Sequence, residues 1–184
     1  GLEHKRAKYK GLLSVFLKWS ERRAVKGSKL LVADNPEIAS YLKKFKKPIQ
    51  TIAYGTEVVS FESKTTTLLE PFDLTSKEYH LHIGRVQPDN HVHEILSAAE
   101  DSGETLVTIG DYSTRYGRTL KGAFDHCRNI HFLGSIYDKT LLNALRQHSL
   151  FYIHGHSAGG TNPALLEALG CGCFVLAHGN AFNG

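Results

Sequence analysis

The chain has 184 residues, of which 41% are apolar and 22% charged, with a formal net charge of +4; that suits one large globular domain or two partial ones. No apolar run approaches the ~20 residues of a membrane helix, and the first residues carry no secretory-signal pattern. Charge is uneven: residues 1–50 hold 13 Lys+Arg against 4 Asp+Glu, and the remainder holds 9 against 14. A basic first quarter reads either as a solvated helix face or as an attraction to an anionic membrane surface. Few aromatic residues are interleaved with it as stacking platforms, which argues against nucleic acid.

In chain order, Leu12, Leu13, Phe16, Leu17, Trp19 and Ala24 have helical spacing, which predicts a basic amphipathic helix over residues 5–26, ended by Gly27. A short strand over 29–33 follows. A helix capped by Asp34 or Asn35, with Pro36 in its first turn, then runs to about Lys46. A strand over 48–53 completes a β-α-β unit, and Tyr54-Gly55 breaks it. Residues 57–77 are acidic, Thr-rich and Pro-containing, and read as a linker with one edge strand. A new series then begins: strand 79–84, helix 90–102, strand 105–110, helix 115–127 interrupted at Gly117 and Gly122, strand 130–133, helix 138–147 capped by Asp138, strand 150–153, helix 163–169 and strand 173–177. Strands alternating with helices predict an α/β fold, with a Rossmann-like parallel sheet covered by helices on both faces and right-handed crossovers.

In such sheets ligands bind at the carboxyl ends of the strands. The chemistry-bearing residues collect there. Arg85 follows a strand and Gly84, and is either a guanidinium fork for a diphosphate or a surface ion pair; its place on the same sheet edge as a glycine-rich loop favours the diphosphate. That loop, His154 to Thr161, joins the strand at 150–153 to a helix for which Asn162 is a candidate cap and Pro163 the first residue, so backbone N–H groups and a positive helix end meet at one point. Glu167 stands in this helix among Leu165, Leu166, Ala168 and Leu169, where a charge is costly without a partner; ligand hydroxyls are the expected one. Dinucleotide and P-loop signatures are absent, as is the Gly-x-Ser-x-Gly elbow. His154 and His156 lack an evident third ligand, so no metal is expected, and phosphate or sugar hydrogen bonding is the reading preferred for them. Cys127, Cys171 and Cys173 form no disulfide framework and read as reduced thiols of a cytoplasmic protein. With Gly1 at its start, no methionine, and Gly184 just past a strand, the sequence reads as a piece cut from a longer protein at both ends.

Gly84-Arg85, the Gly110-Asp111 turn, Phe132-Leu133-Gly134-Ser135-Ile136, and Pro163-x-x-x-Glu167-Ala168-x-x-Cys171-Gly172 occur in an order and spacing that resemble the retaining glycosyltransferases of family 4, which have the GT-B fold. The stretch His154-Gly155-His156-Ser157-Ala158-Gly159-Gly160-Thr161-Asn162-Pro163 looks like a bacterial rhamnosyltransferase-like branch, and Gly1-Leu2-Glu3-His4-Lys5-Arg6-Ala7-Lys8 is similar to part of that branch's N-terminal domain. The resemblance implies that residues 1–56 end an acceptor domain, 57–78 link, and 79–184 form most of a donor-binding domain. It gives Glu167 the nucleotide ribose, Arg85 the donor diphosphate, Ile136 the nucleobase, and Gly159, Gly160 and Thr161 the donor phosphate and sugar, with Gly84, Gly110, Asn90 and Asn162 beside them. Two positions depart from the pattern. Gly159 stands where the family has its first glutamate, which leaves sugar-hydroxyl recognition to His154, His156 or Asn162. Asn90 stands where a basic partner of the arginine is usual, which leaves Arg85 more of the diphosphate charge.

The implied activity is retaining, metal-independent transfer of a sugar, rhamnose being one option, from a nucleotide-diphosphate donor to a polysaccharide or lipid-linked acceptor in polysaccharide biosynthesis. Arg85, His154 and His156 would be the catalytic residues and no cofactor would be needed. A cytoplasmic protein in peripheral contact with the inner membrane is expected, and an isolated piece of it would be inactive. The alternatives are a sugar-nucleotide epimerase of the same architecture and a degenerate nucleotide-sugar-binding subunit.

Overall fold

The computed structural model describes residues 11–60, 63–157 and 160–183. They fall into two compact units. The first contains residues 11–55, 157, 160–163 and 179–183; the second contains 56–60, 63–156 and 164–178.

In the first unit, helix α1 (Leu12–Gly27) is followed by β1 (Leu31–Ala33), α2 (Pro36–Leu42) and β2 (Ile49–Thr51). The first residues of the predicted basic helix lie outside the described part. The two strands pair in parallel, Leu31 opposite Ile49 and Ala33 opposite Thr51. Asn35, not Asp34, caps α2: its side chain accepts from the Ile38 N–H, and Pro36 sits at the first turn, where its missing donor costs nothing. The small core of this unit is Val25, Leu31, Ala33, Ile38 and Leu42.

The second unit is built on a five-stranded parallel sheet of order β5-β4-β3-β6-β7. Its elements are β3 (His80–Ile83), α3 (Val92–Ser102), β4 (Leu106–Ile109), α4 (Arg115–Phe124), β5 (Ile130–Gly134), α5 (Lys139–His148), β6 (Phe151–His154), α6 (Pro163–Gly170) and β7 (Val175–Ala177). Side chains alternate across each strand, and the packing follows that alternation. Leu106 of β4 joins a cluster with Val92, Ile95, Leu96, Leu120 and Phe124 of α3 and α4. Its neighbour Val107 points the other way, into a cluster with Leu69, Leu81, Leu145, Tyr152 and Ala168. Helices therefore cover both faces, as the near-continuous apolar strands require.

Two local expectations are corrected. Helix α4 runs unbroken through Gly117 and Gly122; Thr114 caps it by accepting from the Gly117 N–H. Where the edge strand was expected, short 3-10 helices cover Ser63–Leu68 and Glu70–Phe72. His148, buried at the end of α5, explains why this stretch folds so: its two ring nitrogens meet Thr65 Oγ1 and Ser76 Oγ, each at 2.9 Å. Burial holds the His148 pKa below the usual imidazole range. Gln147 adds bonds from its side-chain amide to the carbonyls of Val59 and Ser60.

Candidate functional site

At the carboxyl ends of β3 and β4 the backbone is bare. The N–H of Gly84 donates to the Ile109 carbonyl, and the N–H of Gly110 to that of Gly134. The two glycines approach so closely that a Cβ on Gly110 would lie 2.4 Å from the Gly84 oxygen. Beyond β6 the same holds for Gly155, where a Cβ would lie 2.2 Å from the Asn90 oxygen. No side chain but hydrogen fits at either position.

Asn90 organises this edge. Buried in the turn before α3, it donates from Nδ2 to the Arg85 carbonyl at 2.6 Å and accepts at Oδ1 from His156 Nδ1, also at 2.6 Å. Because the amide nitrogen is committed to a carbonyl, the amide oxygen must face His156, and the proton of that imidazole must sit on Nδ1. Asn90 thus ties the loop after β3 to the loop after β6. Arg85 itself is exposed, and its guanidinium has no ion-pair partner among the described residues.

Beneath this edge lie two further imidazoles. His82 is 3% exposed and His154 4%. His82 Nδ1 meets Thr108 Oγ1 at 3.1 Å, and Thr108 Oγ1 meets the Tyr112 hydroxyl at 2.7 Å. Burial, and then the neighbouring His154, pushes the pKa of His82 down to about 4. Burial, and then His156, brings His154 to about 4. Both rings are therefore neutral at pH 7. The His154 ring lies 6.0 Å from that of His156, and its buried Nε2 has no hydrogen-bond partner among the described residues.

Ile136 follows β5, half-buried against the cluster that holds Val107 and Leu145. Glu167 of α6 has a partner inside the protein: its Oε2 accepts from Arg146 Nη2 of α5. The pair is lopsided, the arginine side chain 3% exposed and the glutamate 51%. The expectation that ligand hydroxyls alone would offset this charge is corrected; the guanidinium does so, and the half-exposed carboxylate keeps lone pairs for a further donor. Arg146 Nη1 also donates to Asn143 Oδ1 at 3.3 Å.

In the first unit, Gly160 and Thr161 lie at the turn after β1. The Thr161 N–H donates to Asp34 Oδ2 at 3.3 Å, and Thr161 Oγ1 accepts from Asn35 Nδ2 at 3.3 Å. A Cβ on Gly160 would come within 2.9 Å of the same Asp34 oxygen. Asn162 is half-buried directly before α6. Gly159 lies outside the described residues.

The structure thus brings Gly84, Arg85, Asn90, Gly110, His154 and His156 together, and places Ile136 and Glu167 separately on the neighbouring elements. Sequence reasoning missed Arg146, His82 and Gly155. Arg146 had a signal: it lies four residues after Leu142, on the stripe of α5 that faces the core. His82 alternates with Leu81 and Ile83, which pack on the other face of the sheet, but nothing in its sequence context marks a link to Thr108.

A family model described as a domain of unknown function (DUF1972) matches residues 1–57. No curated protein matches the chain. Among solved structures, it is similar to Anabaena Alr3699/HepE in complex with UDP-glucose, with 16% identity over 89% of this chain and 48% of that one and a TM-score of 0.73. It is also similar to sucrose-phosphate synthase from Thermosynechococcus elongatus, with 15% identity, 95% and 47% coverage and a TM-score of 0.74. A third is WaaG, a glycosyltransferase involved in lipopolysaccharide biosynthesis, with 18% identity, 98% and 54% coverage and a TM-score of 0.70. The chain spans about half the length of these structures. The likeness shows the fold: α/β, of the GT-B type, with a Rossmann-like parallel sheet.

Proposed function

We propose that the chain is the nucleotide-sugar-binding part of a glycosyltransferase. One observation carries the reading. At the carboxyl ends of β3, β4 and β6, glycines leave the backbone bare, Asn90 fixes the loops, and the exposed Arg85, directly after Gly84, has no ion-pair partner among the described residues. Such an edge suits a diphosphate, which needs concentrated positive charge and close backbone approach. HepE, of the same fold, was solved with UDP and with UDP-glucose, which supports a nucleotide sugar as the ligand.

In this reading Arg85 neutralises the diphosphate as it leaves. Glu167, held by Arg146, takes the ribose hydroxyls, Ile136 packs the base, and His154 and His156 serve the sugar. Transfer is retaining and metal-independent, from the donor, with rhamnose as one option, to a glycan or lipid-linked acceptor at the cytoplasmic side of an anionic membrane. A second reading, a binding subunit without turnover, is favoured by Gly159 in place of the expected glutamate.

Calorimetry of the full-length protein against nucleoside diphosphates and their sugars tests the assignment. Arg85→Ala removes no ion pair among the described residues, so its effect is on the ligand: affinity should fall at least ~10-fold, as for loss of a charge-assisted contact. Unchanged affinity would overturn the diphosphate role, and binding without donor hydrolysis or transfer would favour the binding subunit.

A further inference from the structure

The amino ends of the strands carry a second chemistry-bearing cluster. Glu100, in the last turn of α3, faces the turn between α4 and β5, which bears His126 and Cys127. Glu100 Oε1 lies 2.9 Å from His126 Nε2 and 3.4 Å from Cys127 Sγ, and Sγ lies 3.5 Å from Nε2. The three potential donor atoms form a compact triangle, one oxygen, one nitrogen and one sulfur. For tetrahedral zinc, bond lengths of about 2.0 Å to oxygen, 2.05 Å to nitrogen and 2.3 Å to sulfur require edges of roughly 3.3–3.6 Å between ligand atoms. The observed triangle needs shifts of only a few tenths of an ångström to match.

The backbone beneath the triangle is fixed from several sides. The Cys127 N–H donates to the Phe124 carbonyl, and the Ile130 N–H to that of Cys127. Asn129 Nδ2 donates to the Ala99 carbonyl at 2.8 Å and the Glu104 carbonyl at 2.9 Å, tying this turn to the end of α3. Cys127 also packs against the α3–α4 core, which leaves its sulfur little freedom to leave the cluster.

We infer that Glu100, His126 and Cys127 form a zinc site with one coordination position open to water, which clamps the end of α3 to the α4–β5 turn. The charges favour it: a thiolate and a carboxylate side by side repel, and a divalent cation between them neutralises both. Without a metal the same neighbours act in reverse, since burial and then the Glu100 carboxylate push the Cys127 thiol above its usual pKa. The mixed thiolate, imidazole and carboxylate set selects zinc over magnesium or calcium, which take oxygen ligands. The site lies at the end of the sheet opposite Arg85 and Asn90, apart from the edge assigned to the donor.

The test titrates the chelator-treated full chain with zinc chloride by calorimetry, and with cobalt(II) by absorption. One zinc per chain, a sulfur-to-cobalt charge-transfer band in the near ultraviolet and a raised Tm are expected. Cys127→Ser should abolish the band. His126→Gln, at a side chain 68% exposed and thus harmless to folding, should weaken zinc binding at least ~10-fold, while Cys171→Ser should leave it unchanged. Absence of zinc binding, or binding that both Cys127→Ser and His126→Gln leave intact, overturns the site.

Discussion

His82 makes the stability of the second unit depend on pH in a predictable direction. Its pKa is near 4 in the folded chain, against about 6.5 for an imidazole in water. Between those values the unfolded chain binds a proton that the folded chain rejects, so folding weakens as pH falls. The stabilisation is fully present above pH ~6.5, and is lost progressively down to pH ~4. Each pH unit within the window is worth up to about 1.4 kcal/mol, so His82 alone removes about 2 kcal/mol between pH 7 and pH 5. His154, lowered to about 4 by burial and by His156, adds up to a similar amount, less whatever the two buried rings share by titrating as a coupled pair. Urea denaturation at pH 7, 6 and 5 measures the slope, in a range where ordinary carboxylates stay ionised. The His82→Gln variant, which keeps a donor for Thr108, should flatten the profile in part, the remaining slope resting with His154 and with His148, whose pKa burial also lowers. A flat profile in the wild type, or the full slope persisting when both His82 and His154 are replaced, would refute the neutral buried assignment.

Two further predictions follow from the packing. Glu167→Ala should cost more than Arg146→Met, because it leaves a guanidinium at 3% exposure without its carboxylate, whereas removal of the arginine leaves a glutamate that water can reach; about 2–3 kcal/mol against about 1 kcal/mol is expected from denaturation midpoints, and the reverse order would sink the argument. Gly155→Ala forces a methyl to within 2.2 Å of the Asn90 oxygen and should destabilise by about 2 kcal/mol or more. In the same assay Gly122→Ala, in mid α4 with open space around it, should stabilise by ~0.5–1 kcal/mol; equal effects at the two glycines would show that the close approach is not real.

The alternation of strands and helices was legible because period is a local property. Leu106 and Val107 announce a strand buried on both faces without reference to any other residue, and Pro36, Thr114 and Asp138 mark helix starts by chemistry that acts over three residues. The carboxyl-end loops were legible for the same reason, since Gly84, Arg85 and Gly110 each follow a strand directly. What escaped the sequence is pairing at a distance. The acidic, Thr-rich stretch at 57–77 reads as a linker until His148, more than 70 residues on, supplies the buried acceptor and donor that its hydroxyls satisfy. The difference between Asp34 and Asn35 as cap was likewise invisible, because either side chain can accept from an N–H; the outcome places the Asp34 carboxylate against Thr161 instead.

Glu167 shows why such pairing matters for reading function. A lone carboxylate in an apolar helix invites a ligand as its missing partner, and the inference is sound only if no cation of the protein reaches it. Arg146 does reach it. The carboxylate therefore has a structural reason to be where it is, independent of any ribose, and loss of nucleotide affinity on its removal would be ambiguous between a lost contact and a loosened α5–α6 pair. Arg85 carries no such ambiguity, since it is exposed and its guanidinium holds no ion pair of the described fold together. The arginine, not the glutamate, is thus the residue on which the nucleotide-sugar reading stands or falls.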